Sequence, residues 1–339
     1  MMNYEMFKGI VEAEFKGFLT GEYKDVEVRI GKVNKVNRDL DSVTLVMPKK
    51  DGVSDKSISP AIYINDMYES YKQSEDLQLV LKQAAERMMS AIEKGNEMMP
   101  MVEDLMASKD KIVFQLINAA QNEEMLKNVP HREFQDLAIV YRIVVQITPD
   151  EGIASAMITN DLAKAMGLSE EEIFNLAAEN TKKIFPVKIQ TMAEVLKGMF
   201  EKNGMPEEMI EEMIPQDEMQ MYVITNTYNM NGAGAMLYEK EIAELADKVG
   251  GDLLILPSSI HEVIAIPDIG RDPKELADMV REINASQVNL SERLSNQVYK
   301  YDRKERKLAL ATDTPYKRLD GGDIAAEPKM IYDPGNPKR

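Results

Sequence analysis

The spacing of apolar positions changes several times along the chain, and each change predicts an element. Between residues 3 and 19, Phe7, Ile10, Val11, Phe15, Phe18 and Leu19 recur at helical spacing. The runs Val26–Val33 and Ser42–Met47 are β-rich and flank Asn37-Arg38-Asp39, which predicts a hairpin with a longish connection. A polar stretch, Lys49–Ser59, reads as a loop, and the segment from Pro60 leads into a helix through Tyr71. Asp76–Lys94 carries one apolar stripe, Leu77, Val80, Leu81, Ala84, Met88 and Ile92, and predicts a helix ended by Gly95-Asn96. A second helical piece is expected over Met101–Met106.

After about Ser108 the pattern turns to strands. Lys111–Ile117 is a candidate strand, Glu123–Lys127 a short helix and Val129-Pro130-His131 a turn. Leu137–Ile147 is continuously apolar, as expected of a strand buried on both faces, with Gly152–Ile158 returning beside it. Asn160 reads as an N-cap, and Ser169 with Glu172 as a capping box for a helix to about Lys183. Ile189–Phe200 and Pro206–Met213 read as helices, Met221–Thr227 and Ala233–Tyr238 as paired strands, and Glu239–Val249 as a helix closed by Gly250-Gly251. Leu253–Leu256 and Val263–Ile266 are two more strands, Asp272 opens a helix, Ser291–Gln297 a shorter one, and Val298–Tyr301 with Lys307–Ala311 a last hairpin. From Thr312 onward the periodicity is lost and a flexible tail is expected.

These readings predict an α+β protein of mainly antiparallel sheet packed with helices. Its parts are a helix–hairpin–helix region over 1–108, a larger domain over 109–311 and the tail over 312–339. Ala154–Met157 and Ala233–Met236 each precede a helix, which is compatible with two related strand–strand–helix modules or with chance likeness.

Composition narrows the chemistry. Fifty-eight acids against 41 lysines and arginines give a net charge of −17, which disfavours nucleic acid and anionic membrane surfaces and suits a basic protein partner. The absence of cysteine removes disulfides, thiolate metal sites and cysteine nucleophiles, and two histidines are too few for a three-histidine metal site. No metal or cofactor is therefore expected. The N-terminus lacks the basic-then-apolar pattern of a signal peptide and no run is long enough to span a bilayer, so a cytoplasmic location is expected.

Three clusters carry candidate chemistry. The corner Ser258-Ser259-Ile260-His261-Glu262 joins two apolar runs; on an extended strand Ser259 and His261 would share a face, and with Glu262 they hold the ingredients of a hydrolase. The amides of Asn226, Asn229 and Asn231 either line a polar pocket or shape a turn around Gly232. Met205, Met209 and Met213 lie four apart among glutamates, as either a core-facing stripe or a docking face for a basic amphipathic partner. His131 is read as a turn residue. Gly-x-Ser-x-Gly, Walker A and G-x-G-x-x-G patterns are all absent.

The phrases VPHREFQDLAIVYRIVV, ITNDLAKAMGLSEEEIFNLAAENT, LPSSIHEVIAIPD and LSNQVYKYDRKERKLAL together resemble an uncharacterised bacterial family of unknown function common in anaerobic gut bacteria, with PSSIHEV as its most distinctive part. The resemblance implies a bacterial intracellular protein and brings no activity with it. The reading is thus a binding or regulatory module, with a Ser-His-Glu hydrolase and an acidic nucleic-acid mimic as alternatives.

Overall fold

The structure, a computed structural model, describes residues 2–46, 60–97, 108–148, 152–213 and 220–320. It is α+β and divides into two compact units, Met1–Lys109 and Asp110–Arg339.

In the first unit, helix α1 (Tyr4–Glu14) starts where the Asn3 side chain accepts the Met6 N–H, and it tightens into a 3₁₀ turn over Phe15–Phe18. Strands β1 (Glu27–Lys35) and β2 (Arg38–Val46) pair antiparallel, and β3 (Ile62–Tyr63) adds to the β2 edge. The connection is a tight turn at Val36-Asn37, shorter than the sequence suggests, because Asn37 takes up φ +64°. Helices α2 (Ile64–Ser74) and α3 (Leu77–Glu97) complete the unit. The predicted stripe of α3 is the one that is buried: Val80, Leu81, Ala84, Met88 and Ile92 join Phe7, Val11, Phe15, Val43 and Leu45 in one core. The loop expected over 49–59 and the helix expected over 101–106 lie outside the described residues.

The second unit is built on two antiparallel sheets. One is centred on β6 (Leu137–Thr148). Strand β4 (Ile112–Asn118) pairs along one edge of it; β5 (His131–Phe134) and β7 (Gly152–Met157) share the other, with a bulge between Val144 and Gln146. Between β4 and β5 stands the short helix α4 (Glu123–Leu126). His131 therefore belongs to a strand rather than to a turn, its Nδ1 3.0 Å from the Val129 carbonyl. Helix α5 (Asn160–Ala165) is capped by Thr159, one residue earlier than expected, and α6 (Glu170–Ile184) opens with the expected Ser169–Glu172 capping box. Helix α6 packs on β4 and ties to it by hydrogen bonds, with Phe114 N–H donating to Thr181 Oγ1 and Asn180 Nδ2 donating to the Ile112 carbonyl.

The other sheet runs β13-β12-β10-β11-β9-β8. Strand β8 (Val187–Thr191) replaces the first turn of a helix expected from Ile189; a second capping box, Thr191–Glu194, delays α7 to Met192–Lys202. Helix α8 (Glu207–Met213) follows, then β9 (Tyr222–Asn226). Ala233–Tyr238 is not the returning strand its alternation suggests. Gly232–Leu237 is a buried 3₁₀ helix, so it differs in conformation from Ala154–Met157. Helix α9 (Glu239–Val249), strands β10 (Leu253–Leu256) and β11 (Val263–Pro267), and helix α10 (Pro273–Gln287) follow as read. Leu254, Ile266, Leu276, Val280 and Val298 form the core under α10.

In place of the short helix expected over 291–297, a 3₁₀ turn at Leu290–Glu292 gives way to an irregular segment, Leu294–Val298, that is buried throughout. Gln297 Nε2 donates to the Thr314 carbonyl and the Val298 N–H to Thr312 Oγ1, which ties the segment to the chain beyond the last strand. Strands β12 (Tyr299–Asp302) and β13 (Lys307–Leu310) close the sheet. The chain beyond is not yet a tail at Thr312: Thr312, Thr314 and Leu319 are buried, while residues 321–339 lie outside the described residues. Among the described residues no helix is long and apolar enough to cross a membrane.

Candidate functional site

The distinctive corner links the two central strands of the six-stranded sheet, β10 and β11. It is not extended. Ser259 Oγ accepts the backbone N–H of His261 at 3.0 Å, which bends the chain into a serine turn. Two other segments clamp the bend. From the 290s, Leu294 N–H donates to the Ser258 carbonyl, Ser295 N–H to the Pro257 carbonyl, and Ile260 N–H to the Glu292 carbonyl. Gly232 N–H at the start of the 3₁₀ segment and the Thr225 hydroxyl of β9 both donate to the His261 carbonyl, at 2.9 and 2.8 Å.

The imidazole of His261 is half-buried and engaged. Its Nδ1 accepts the Asn231 N–H at 3.2 Å, which places the proton of the neutral ring on Nε2, and Nε2 lies 3.8 Å from Glu292 Oε1. The pKa of the neighbouring Glu262 carboxyl is raised, foremost by burial, against the opposing pull of His261 and Ser259. Ser259, His261 and Glu262 are thus neighbours, yet the serine–imidazole hydrogen bond of a nucleophilic relay is not among the contacts they make. Ser258 contributes its carbonyl to the clamp.

The three asparagines shape the adjoining loop. Asn226 Oδ1 accepts the Tyr228 N–H and its Nδ2 donates to the Met230 carbonyl. Asn229 and Asn231 take φ of +53° and +52°, the left-handed region that asparagine tolerates. Asn231 Oδ1 also accepts from Gln115 Nε2 at 3.0 Å, and Lys188 Nζ reaches Asn229 Oδ1 at 3.4 Å. This loop presents the N–H groups that lock the corner.

The methionines stand elsewhere and differ in role. Helix α7 buries no residue fully, and among the described side chains of α8 only Ile210 is anchored, at 1% exposure. Met205 is half-buried, whereas Met199, Met209 and Met213 are 49%, 52% and 53% exposed. From Glu194 to Met213 the chain carries six glutamates against two lysines, and Glu194, Glu201, Glu207 and Glu208 are exposed. Methionine and acidic side chains are therefore both exposed along this stretch.

Two clefts of the second unit are lined by residues other than those of the corner. One, of about 840 Å³, runs along α10 and is bordered by Glu275, Arg281, Asn284, Arg293 and Tyr316. The other, of about 520 Å³, is floored by Phe114, Phe134 and Phe174 and rimmed by Arg132 and Lys182. Residue spacing could not have found the second, because its lining comes from several elements far apart in sequence. Among the described residues no three histidine, aspartate or glutamate side chains converge as a metal set would.

Comparison with known proteins matches the model of a family of unknown function, DUF5688, over residues 4–303. No curated protein and no solved structure matches the chain.

Proposed function

The chain therefore belongs to that family, and on this premise we propose that it is a protein-binding module whose α7–α8 hairpin docks a basic amphipathic helix of a partner. The observation that carries the reading is the half-exposed trio Met199, Met209 and Met213 on a stretch with six glutamates against two lysines. Methionine side chains are flexible and polarisable, so such a surface adapts to an apolar helix face, while the surrounding carboxylates attract its lysines and arginines. The hydrolase alternative draws no comparable support, since His261 Nδ1 is occupied by a backbone N–H and Ser259 Oγ is engaged by the His261 N–H.

The test is titration with a synthetic lysine–leucine amphipathic helical peptide, with a scrambled peptide of equal charge as control. Saturable binding of the amphipathic peptide alone, weakened about tenfold or more by Met209→Glu with Met213→Glu, is the expected result. Equal binding of both peptides, or of wild type and variant, would sink the reading.

A further inference from the structure

The cleft of about 520 Å³ is a different site from the methionine face, and its walls suit a small molecule. Its apolar surface comes from Phe114, Phe134, Phe174 and Tyr301, with Met236 and Ile242 beside them. Four aromatic rings meeting in one cleft is a concentration, since aromatic residues make up only 6% of the chain. The rings are fixed in place. Phe134 stacks on Tyr299 at 6.2 Å between centroids, and Phe114 meets Tyr238 edge-on at 6.4 Å. Gly234 lies against Phe114 so closely that a Cβ there would sit 2.9 Å from the ring, which keeps that wall flat.

One polar group is set over this apolar surface with unusual definition. The guanidinium of Arg132 lies 3.8 Å from the centroid of the Phe174 ring. Its Nε and Nη2 both bond to the Glu170 carboxylate, at 3.2 and 2.9 Å, and the Tyr141 hydroxyl donates to the Oε1 that also accepts Arg132 Nε. One edge of the fork is thereby pinned, and Nη1 has no hydrogen-bond partner among the described residues. A planar, oriented guanidinium with a vacant edge is the device proteins use for carboxylates, sulfonates and phosphates. Lys182, whose ammonium lies 5.5 Å from the Tyr238 ring, and Lys307 also line the cleft, and neither has a carboxylate partner among the described residues. Of the four cations that line the cleft, Arg132 is paired with Glu170 and Arg306 with Asp247, and the lining carboxylates are Glu133 and Glu239.

We propose that this cleft binds an amphipathic anion: a flat aromatic or hydrocarbon body held against the four rings, with an anionic head on the free edge of Arg132. Glu133 and Glu239 then act against ligands that carry a second negative charge.

The probe pair is 8-anilinonaphthalene-1-sulfonate and N-phenyl-1-naphthylamine, the same body with and without the anion, titrated into the full chain by fluorescence. A Met209→Glu, Met213→Glu background removes the exposed methionine face as a competing dye site. The sulfonate is expected to bind saturably with one site and at least about tenfold more tightly than the neutral amine. Arg132→Met should cost the sulfonate about tenfold and leave the neutral amine unchanged. Because that variant leaves Glu170 without its partner, Lys182→Glu, at an exposed position, repeats the charge test, and Ala178→Trp tests the cavity by excluding both probes. Equal affinity for the two probes, non-saturable binding, or sulfonate affinity unmoved by Lys182→Glu and Ala178→Trp in folded protein would overturn the proposal.

Discussion

Single residues set the corner's geometry, and Gly232 most of all. A Cβ there would lie 2.2 Å from Thr225 Oγ1, 2.6 Å from the His261 carbonyl oxygen and 2.7 Å from the Asn226 nitrogen. Two of those neighbours are backbone and cannot step aside, so Gly232→Ala should destabilise the protein by about 3 kcal/mol in urea unfolding. Gly250, at φ +81° with open space around it, should lose only about 1 kcal/mol in the same change. Ser259→Ala removes the acceptor of the His261 N–H; a loss of about 1 kcal/mol is expected, with hydrolysis of p-nitrophenyl acetate unchanged from wild type. Asp136 gives a pH signature. Its carboxylate receives the hydroxyls of Ser295 and Tyr299, and burial raises its pKa despite those bonds. In the window between the unfolded aspartate value and that raised folded value the native state holds the extra proton, so this residue lowers stability as pH rises. Asp136→Asn should flatten that part of the stability–pH curve measured by urea midpoints. From the sequence alone the corner's ingredients were readable and its bonding was not. Adjacency of Ser259, His261 and Glu262 fixes who is near, whereas the partners of each come from Asn231, Glu292 and Thr225, which only the tertiary fold brings up.

Elements with a long period were legible and short ones were not. The α3 stripe and the apolar run of β6 specify themselves over many residues, whereas of the apolar positions of α10 Leu276 and Val280 are buried and Met279 and Ile283 are exposed. Strands β5 and β8 are four and five residues long, and a sheet edge rather than local pattern decides them. The Gly-Ala alternation at 232–236 mimics a strand, but its backbone N–H groups are drawn to the Ile260 and His261 carbonyls and the segment winds into 3₁₀ form. The ends of β10 and β11 are joined electrostatically through β12. Lys300 lies 3.0 Å from Asp252 and 2.8 Å from Asp268. Asp252 is held low first by the Arg303 N–H and then by Lys300, and Asp268 first by Lys300. Carboxyls depressed in the folded state stabilise it above their unfolded pKa and lose that contribution as pH falls through the folded value. Lys300→Met should therefore cost up to about 1 kcal/mol at neutrality and converge with wild type in acid, read by urea midpoints against pH.

At the scale of the whole molecule, charge and topology act together. A net −17 should make docking of a basic helix fade as salt rises, so peptide affinity at the methionine face is expected to fall several-fold between low and physiological ionic strength. Strand order β13-β12-β10-β11-β9-β8 joins segments from Val187 to Leu310, and no local period announces such a pairing. Long-range antiparallel pairings of this kind place refolding of the second unit on the millisecond-to-second scale, which stopped-flow fluorescence of its tyrosines would read. The segment Leu294–Val298 draws the limit of this unit. Gln297, 1% exposed, spends its whole amide on two threonines: Nε2 donates to the Thr314 carbonyl and hydroxyl, and Oε1 accepts the Thr312 hydroxyl and the Thr314 N–H. A stop codon after Leu310 would spare every strand yet leave that amide in the interior with nothing to bond, and would take Leu319 from Arg293 as well. For anyone shortening the gene, the last strand is therefore the wrong place to cut: one glutamine makes Thr312 and Thr314 part of the interior.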